Sequence, residues 1–302
     1  MKKNCQFLFV VLVALFYSLK ASAQYVYVAN SNREISVISP EGNVSLFASG
    51  FDSIAGLAFN STNYLYAADG TSGTVYSVSP QGSVSTFATG FKEVIGLTFD
   101  DEGNLFVGDF ENSTITKFTS NGIVTTFGTA SDTTHYGGVT GLAFDSDNEI
   151  YVALDYQGII LRGTLGGTMT TFVSGLSFPQ SIAFSNSGNL FVSNGGNGTI
   201  SEVTPGGVVT TFASGLNTPT GLTFDGDGNL IVSEAGTLGN LNSDILKITP
   251  EGVVTTIASV SAPFGVAVGP QPIPPPIPEP SVWPWITGGV TMVLAAWRKS
   301  RR

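Results

Sequence analysis

One internal repeat of about 40 residues dominates the sequence. Each unit contains four short runs of alternating apolar and polar residues, separated by Gly-, Asn-, Ser- and Pro-rich turns. Four strands in about 42 residues are typical of one blade of a β-propeller. The fold predicted for residues 24–270 is therefore an all-β propeller. The repeat is marked by a Gly-Leu-Ala-Phe segment or a variant of it, which begins at Gly56, Gly96, Gly141, Ser181, Gly221 and Gly265.

The number of blades follows from the two ends of the repeat region. Residues 25–47 supply the second, third and fourth strands of a unit, and residues 264–268 supply only a first strand. Together they make one composite blade beside five complete ones. The sequence thus predicts six blades, with the C-terminal strand pairing into the N-terminal sheet. This pairing would close the ring and remove an open sheet edge.

Two further sets of residues recur once in each unit. A Gly between the third and fourth strands predicts a hairpin turn with a positive φ. These glycines are Gly42, Gly82, Gly122, Gly167, Gly207 and Gly252. Phenylalanines occupy one first-strand and one fourth-strand position, where we expect facing blades to bury them, each worth roughly 1.5–3 kcal/mol. They are Phe59, Phe99, Phe144, Phe184 and Phe224, and Phe47, Phe87, Phe127, Phe172 and Phe212.

Both ends of the chain predict export. Residues 1–23 combine Lys2-Lys3, a short apolar run and Ala21-Ser22-Ala23, which is typical of a signal peptide cleaved after Ala23. Residues 271–280 form a Pro-rich linker, and residues 281–302 contain an uncharged, Trp-flanked stretch that ends in five residues with four Lys and Arg. This stretch predicts a transmembrane helix with its basic end in the cytoplasm.

The C-terminal segment also resembles a known sorting signal. Pro278-Glu279-Pro280, followed by one helix and a basic terminus, is similar to the PEP-CTERM signal of Gram-negative bacteria. The resemblance implies that an exosortase-type processing enzyme recognises the chain while it is transiently anchored in the inner membrane. The product would then be periplasmic, at the cell surface or in the extracellular matrix. A permanent membrane anchor is the simpler alternative.

The charge distribution excludes one class of partner. Seven of the 12 Lys and Arg residues lie in the first 23 and last five residues, whereas all 22 Asp and Glu residues lie between them. The middle of the chain therefore has five basic residues and a net charge of −17. Because a nucleic-acid-binding domain needs the opposite sign, we expect no nucleic-acid partner.

The repeat region resembles NHL-repeat and gluconolactonase-like propellers and, more distantly, streptogramin lyases. Residues 225–234 (DGDGNLIVSE) carry the closest likeness. The resemblance implies a metal at the channel mouth in gluconolactonase-like enzymes, with ligands just before the repeat Gly. None of the residues at these positions is a carboxylate; they are Ala55, Ile95, Thr140, Gln180, Thr220 and Phe264. Streptogramin lyases use more than one His, whereas this chain has only His135.

The candidate binding residues lie at the ends of the second strands, on one face of the propeller. These side chains could cap the following turns, or they could form an acidic ring that holds a cation or a hydroxyl-rich ligand. We expect loss of a carboxylate there to reduce binding and to affect folding little. Two inserted loops, residues 130–140 and 235–244, belong to the same face. The candidates are Asn30, Asp69, Asp109, Asp155, Asn194 and Glu234, with His135 and Tyr136 from the first inserted loop.

The function predicted from these features is non-catalytic binding or scaffolding, with a polysaccharide or a surface protein as partner. The alternative is a metal-dependent lactonase or a lyase. No catalytic residue and no cofactor is predicted. The Asp-x-Asp-Gly-Asn turn at residues 225–229 could bind calcium, but a hairpin stabilised by its own Asp and Asn side chains explains the same residues.

Overall fold

The computed structural model describes residues 24–130, 138–164, 167–236 and 242–274. The described strands are β1 (Tyr25–Asn30), β2 (Glu34–Ile38), β3 (Val44–Ser49), β4 (Ile54–Phe59), β5 (Leu65–Asp69), β6 (Thr74–Val78), β7 (Val84–Thr89), β8 (Val94–Phe99), β9 (Leu105–Asp109), β10 (Thr114–Phe118), β11 (Val124–Thr129), β12 (Val139–Phe144), β13 (Ile150–Leu154), β14 (Ile159–Gly163), β15 (Met169–Ser174), β16 (Pro179–Phe184), β17 (Leu190–Asn194), β18 (Thr199–Val203), β19 (Val209–Ser214), β20 (Pro219–Phe224), β21 (Leu230–Glu234), β22 (Asn242–Ile248), β23 (Val254–Ser261) and β24 (Pro263–Gly269).

These strands form six four-stranded antiparallel sheets, so the predicted six-bladed propeller is confirmed. Blades 1 to 5 are β4–β7, β8–β11, β12–β15, β16–β19 and β20–β23. Blade 6 is the predicted composite, in which β24 pairs with β1 and continues into β2 and β3. The first strand of each blade lies innermost and packs against the first strands of both neighbours.

The repeat Gly of the first strand is required by this close packing. A Cβ atom on Gly56 would overlap the carbonyl oxygen of Ile95 in the next blade. The same overlap would occur between Gly265 and the carbonyl of Ala55, where the ring closes. Gly therefore lets adjacent inner strands approach each other at the axis. The turn glycines between the third and fourth strands have φ values of 78–87°, as their positions predict.

The phenylalanines pack between facing blades, as predicted, but they are less buried than expected. Most are half-buried and Phe87 is 40% exposed, because they flank a central aromatic residue on the second strand of each blade. Phe106, for example, is fully buried between Phe127 of its own blade and Phe144 of the next. The ring centroids in these triads are 4.8–5.2 Å apart in edge-to-face geometry. The central residues are Tyr27, Tyr66, Phe106, Tyr151 and Phe191.

The junction between blades 5 and 6 lacks such a triad. Ile231, Ile257 and Val268 occupy the corresponding positions. These side chains are smaller than aromatic rings, and they line a groove of about 620 Å³ between the two blades.

The strand directions give the propeller two distinct faces. The upper face carries the loops between second and third strands and the connections between blades, whereas the lower face carries the other hairpins. Tyr25 pairs with Gly269, so both ends of the propeller lie on the lower face. In the part of the chain that the structure describes, no helix is long and apolar enough to cross a membrane. Ala23, the Pro278-Glu279-Pro280 motif and the predicted terminal helix lie outside the described residues.

Candidate functional site

The predicted binding residues lie together around the upper face. Strands β1, β5, β9, β17 and β21 end at Asn30, Asp69, Asp109, Asn194 and Glu234, and Asp155 follows β13 by one residue. All of them except Glu234 are buried. These residues therefore share the upper face, but most of their side chains lie beneath the surface.

The Asp residues of blades 1 and 2 bind backbone N–H groups. Asp69 is fully buried and accepts hydrogen bonds from Asp52 and Ser53, in the preceding inter-blade connection, and from Ser72 in its own loop. Asp109 accepts a bond from the backbone N–H of Lys92 in the same way. Each carboxylate thus ties a loop to the connection 16 or 17 residues upstream. This geometry matches the capping alternative.

Among the described residues, the two other acidic members accept fewer hydrogen bonds. Glu234 accepts one from the backbone N–H of Asn217, and Asp155 accepts one from Tyr156. Burial raises the pKa of Asp155, although the bond from Tyr156 opposes this shift. Burial also raises the pKa of Glu234, and the charge of Asp244 adds to the effect. Raised pKa values mean that the ionised forms of Asp155 and Glu234 are less stable at these positions than in water.

The two Asn members of the ring bind hydroxyl groups. The Nδ2 atoms of Asn30 and Asn194 donate to Ser36 and Ser201 in the third strands. Their Oδ1 atoms are buried and have no partner among the described groups. Because both side chains are only 2% exposed, these oxygen atoms do not indicate a ligand site on the surface.

His135 and Tyr136 lie outside the described residues, as do most of the residues in the two inserted loops. Their candidacy therefore remains a prediction from the sequence. Residues 130 and 138–140, at the two ends of the first insertion, lie on the upper face between blades 2 and 3. Residues 235–236 and 242, which flank the undescribed part of the second insertion, lie on the same face of blade 5.

The six residues at the upper end of the axial channel are neutral, and Lys92, Glu93 and Glu111 lie beside them in an adjoining cavity. A cavity of about 480 Å³ runs between the six inner strands, with Ala55, Ile95, Thr140, Gln180, Thr220 and Phe264 at its upper end. The Thr140 hydroxyl donates to the carbonyl of Pro179 at 2.9 Å, and the Thr220 hydroxyl lies within hydrogen-bond distance of the carbonyls of Pro263 and Phe264.

These mouth residues do not fit a divalent metal. Its usual protein ligands are carboxylates and imidazoles, and the mouth offers one amide and two hydroxyls that already serve neighbouring carbonyls. Across residues 24–130, 138–164, 167–236 and 242–274, no three His, Cys, Asp or Glu side chains come together as a metal site.

The Asp-rich hairpins lie on the lower face and are stabilised internally. Asp225 Oδ1 accepts bonds from the backbone N–H groups of Asp227 and Asn229, and Lys247 lies 2.9 Å from its other oxygen. Burial alone would raise the pKa of Asp225, but hydrogen bonds from Asn229 and Lys247 lower it overall. Asn60 uses its Oδ1 atom in the same way without any carboxylate. The geometry matches the hairpin alternative to calcium binding.

An aromatic patch on the upper face was not predicted from the sequence. It consists of Phe110, Tyr156 and Phe178, from blades 2 and 3 and from the connection to blade 4. Tyr156 lies centrally, with ring centroids 5.9 Å from Phe110 and 6.2 Å from Phe178. Tyr156 is 63% exposed and Phe178 is 49% exposed. The signal was a departure from the repeat, because blade 1 has Gly70 and Thr71 in place of the first two rings.

Comparison with known proteins shows the fold and no more. A chain of a nidogen/laminin complex superimposes with a TM-score of 0.69 at 15% identity, covering 83% of this chain and 100% of that one. A virginiamycin B lyase from Staphylococcus aureus gives 0.61 at 15% identity, covering 83% and 92%. A putative gluconolactonase gives 0.60 at 15% identity, covering 74% and 90%.

The same propeller therefore occurs in lyase-like, lactonase-like and non-enzymatic contexts. No family model and no curated protein matches the sequence.

Proposed function

We propose that this chain is an exported, non-catalytic binding or scaffold protein that uses the upper face of its propeller. The channel mouth carries the proposal. Its six inner residues are neutral, and both Thr hydroxyls are already bonded, so these residues offer no metal-ligand set. Lys92, Glu93 and Glu111 border the same mouth, but among the described residues no three Asp, Glu, His or Cys side chains come together as a metal site. The carboxylates of Asp69, Asp109 and Glu234 on the same face accept hydrogen bonds from backbone N–H groups. A polysaccharide or a surface protein is the proposed partner.

The position of the chain ends supports display of that face. Both ends of the propeller lie on the lower face, next to the pairing of Tyr25 with Gly269. The described strands therefore begin and end on the face opposite the upper one, and the upper face is free of both chain ends of the propeller. The proposed route is removal of residues 1–23, brief anchoring through residues 281–302 and processing near Pro278-Glu279-Pro280 by an exosortase-type enzyme.

A metal-dependent lactonase or a lyase is the second candidate, because the fold is shared with a putative gluconolactonase and with virginiamycin B lyase. One experiment separates the two candidates. The purified chain is assayed for lactone turnover with Ca²⁺, Mg²⁺ or Zn²⁺, and for binding to extracellular polysaccharide and cell-surface protein from the source cells. We expect binding and no turnover above that of the metal alone. Saturable lactone turnover would overturn the proposal.

A Thr220→Val variant provides the control for this assay. It removes one of the two mouth hydroxyls without changing the shape of the side chain much, and Thr220 is half-exposed. We expect binding by this variant to be unchanged, whereas a hydrolase that used the hydroxyl would lose turnover.

A further inference from the structure

The aromatic patch of Phe110, Tyr156 and Phe178 is held in place by the backbone around it. The Phe110 N–H donates to the carbonyl of Glu93 at 2.7 Å, which fixes the loop of blade 2 to the preceding connection. Phe178 has a φ of 49°, in the left-handed region that disfavours a bulky side chain. Thr218 and Ala262 share this conformation at the equivalent positions, with φ values of 53° and 36°. The backbone strain thus recurs at three junctions, and of these three positions position 178 carries an aromatic ring.

The patch is exposed to a degree that its own packing does not explain. Single exposed aromatic residues are common, whereas a contiguous exposed cluster of rings is typical of an interaction surface. Tyr156 leaves 63% of its surface free although it contacts rings on both sides. Rigid aromatic side chains of this kind are common anchors in protein–protein interfaces, because few torsions are lost when they bind.

Three carboxylates, those of Glu93, Glu111 and Asp155, lie near the patch and are called its carboxylate rim. Phe110 is followed by Glu111, and Tyr156 follows Asp155. Glu93 lies within electrostatic reach of both: burial raises its pKa most, and the charges of Glu111, Asp109 and Asp155 raise it further. Asp155 is buried and so contributes potential, whereas Glu111 is exposed and available for contact. Lys92 is a basic residue near this rim, beside Glu93 in a cavity of about 480 Å³.

We propose that the aromatic patch and its carboxylate rim bind a Lys- or Arg-bearing segment of a protein partner. A cation over an aromatic face is attracted by the ring quadrupole, and nearby carboxylates add a salt-dependent attraction. The chain uses the same combination internally, because Lys117 lies 5.1 Å from the ring centroid of Phe106 and 3.6 Å from Asp100. The inference rests on the proposed function and selects a basic protein segment as the partner.

The test is calorimetric titration of the full chain with a pentalysine peptide at low salt and at physiological salt. The test variant, Tyr156→Thr with Phe178→Thr, takes the residues found at the equivalent positions, Thr71 and Thr218. The control is Tyr64→Thr, which removes a tyrosine that is 42% exposed on the lower face. We expect the test variant to bind about tenfold more weakly and the control to bind like the parent chain.

Folding is checked by the thermal melt of each variant, and Tyr156→Thr alone serves if the double variant is unstable. Equal affinity of the parent chain and the Tyr156→Thr variant overturns the inference. So does tighter binding of an uncharged N-acetylglucosamine oligomer than of pentalysine, because the partner would then be a polysaccharide. Either result leaves the proposed binding function in place. Lactone turnover, in contrast, would remove the proposed function without bearing on the patch.

Discussion

Single carboxylates on the upper face serve the architecture first. Asp69 and Asp109 each hold the connection that enters their blade, through bonds to backbone N–H groups 16 or 17 residues upstream. The sequence pattern indicated that these residues could cap turns, but it led us to expect little effect on folding. Their hydrogen bonds lead to the opposite expectation, because a buried N–H left without an acceptor is costly.

We therefore predict that Asp69→Asn lowers the free energy of unfolding by about 1.5–3 kcal/mol. The amide has one acceptor oxygen for three N–H groups, and its own NH₂ group would face a backbone donor. Urea unfolding measures the change. Asp101→Asn, at an exposed position of a lower-face hairpin, is the control and should unfold like the parent chain. Equal midpoints for both variants would show that the capping bonds contribute little.

A second side-chain prediction concerns pH. Burial and the charges of Glu111, Asp109 and Asp155 raise the pKa of Glu93 above its value in the unfolded chain. The ionised carboxylate therefore costs stability at neutral pH, and this cost disappears as the pH falls through the folded-state pKa. Glu93→Gln should raise the melting temperature at about pH 7 by roughly 1–3 °C, with a smaller gain near pH 4.

The control for this variant is Glu41→Gln on the lower face. A hydrogen bond from Ser39 lowers the pKa of Glu41, so its replacement should give no gain at neutral pH. A gain of the same size for both variants would indicate a general effect of net charge instead of local repulsion at the upper face.

Among the strands, the innermost one of each blade is the most tightly constrained. In five blades a repeat Gly faces a carbonyl of the neighbouring blade, and blade 4 has Ser181 at this position. At the tightest of these contacts, such as that of Gly56, a side chain would separate the inner strands. The sequence shows this Gly at a fixed position in the repeat, but the repeat spacing alone does not explain why Gly is needed there. The reason depends on a distance between strands 40 residues apart, which no local pattern records.

We predict that Gly56→Ala lowers the free energy of unfolding by about 2–3 kcal/mol, because its Cβ would overlap the Ile95 carbonyl. Gly206→Ala is the matched control. Gly206 lies in a lower-face turn, where the nearest atom to an added Cβ is Thr204 Oγ1 at 3.8 Å. That variant should remain within about 0.5 kcal/mol of the parent chain in the same denaturant titration. A tolerated alanine at position 56 would mean that the inner strands can move apart freely.

The whole propeller could be predicted because its features repeat. Strand number, blade number and closure all followed from Gly and Phe at fixed spacing, and each is confirmed. The exposed aromatic patch could not be found in this way, because Phe110, Tyr156 and Phe178 interrupt the repeat in three separate loops. The packing of consecutive blades brings them together. Periodic residues thus define the scaffold, while the residues proposed for binding are those that depart from the period.

The last prediction concerns closure of the ring. Strand β24 pairs with β1 and packs between the inner strands β20 and β4. Deletion of residues 264–268 would remove the buried Val266 and Ala267 and leave β1 with an open edge. The lost pairing and packing approach the whole net stability of a domain, about 5–15 kcal/mol. We therefore expect the deletion variant to aggregate, or to unfold without a cooperative transition in calorimetry.

Truncation after Pro274 is the control for this deletion. It keeps every described strand, including the complete pairing of Tyr25 with Gly269 and the bond from the Tyr27 hydroxyl to the carbonyl of Pro270. The truncated chain should therefore unfold with the same cooperativity and midpoint as the propeller of the full chain. If the deletion variant instead melted like this control, the five remaining blades would be stable without closure, and the composite blade would be an accessory to the ring. Closure would then not be needed to hold neighbouring blades in fixed positions, and so not needed to hold the loops of the upper face together.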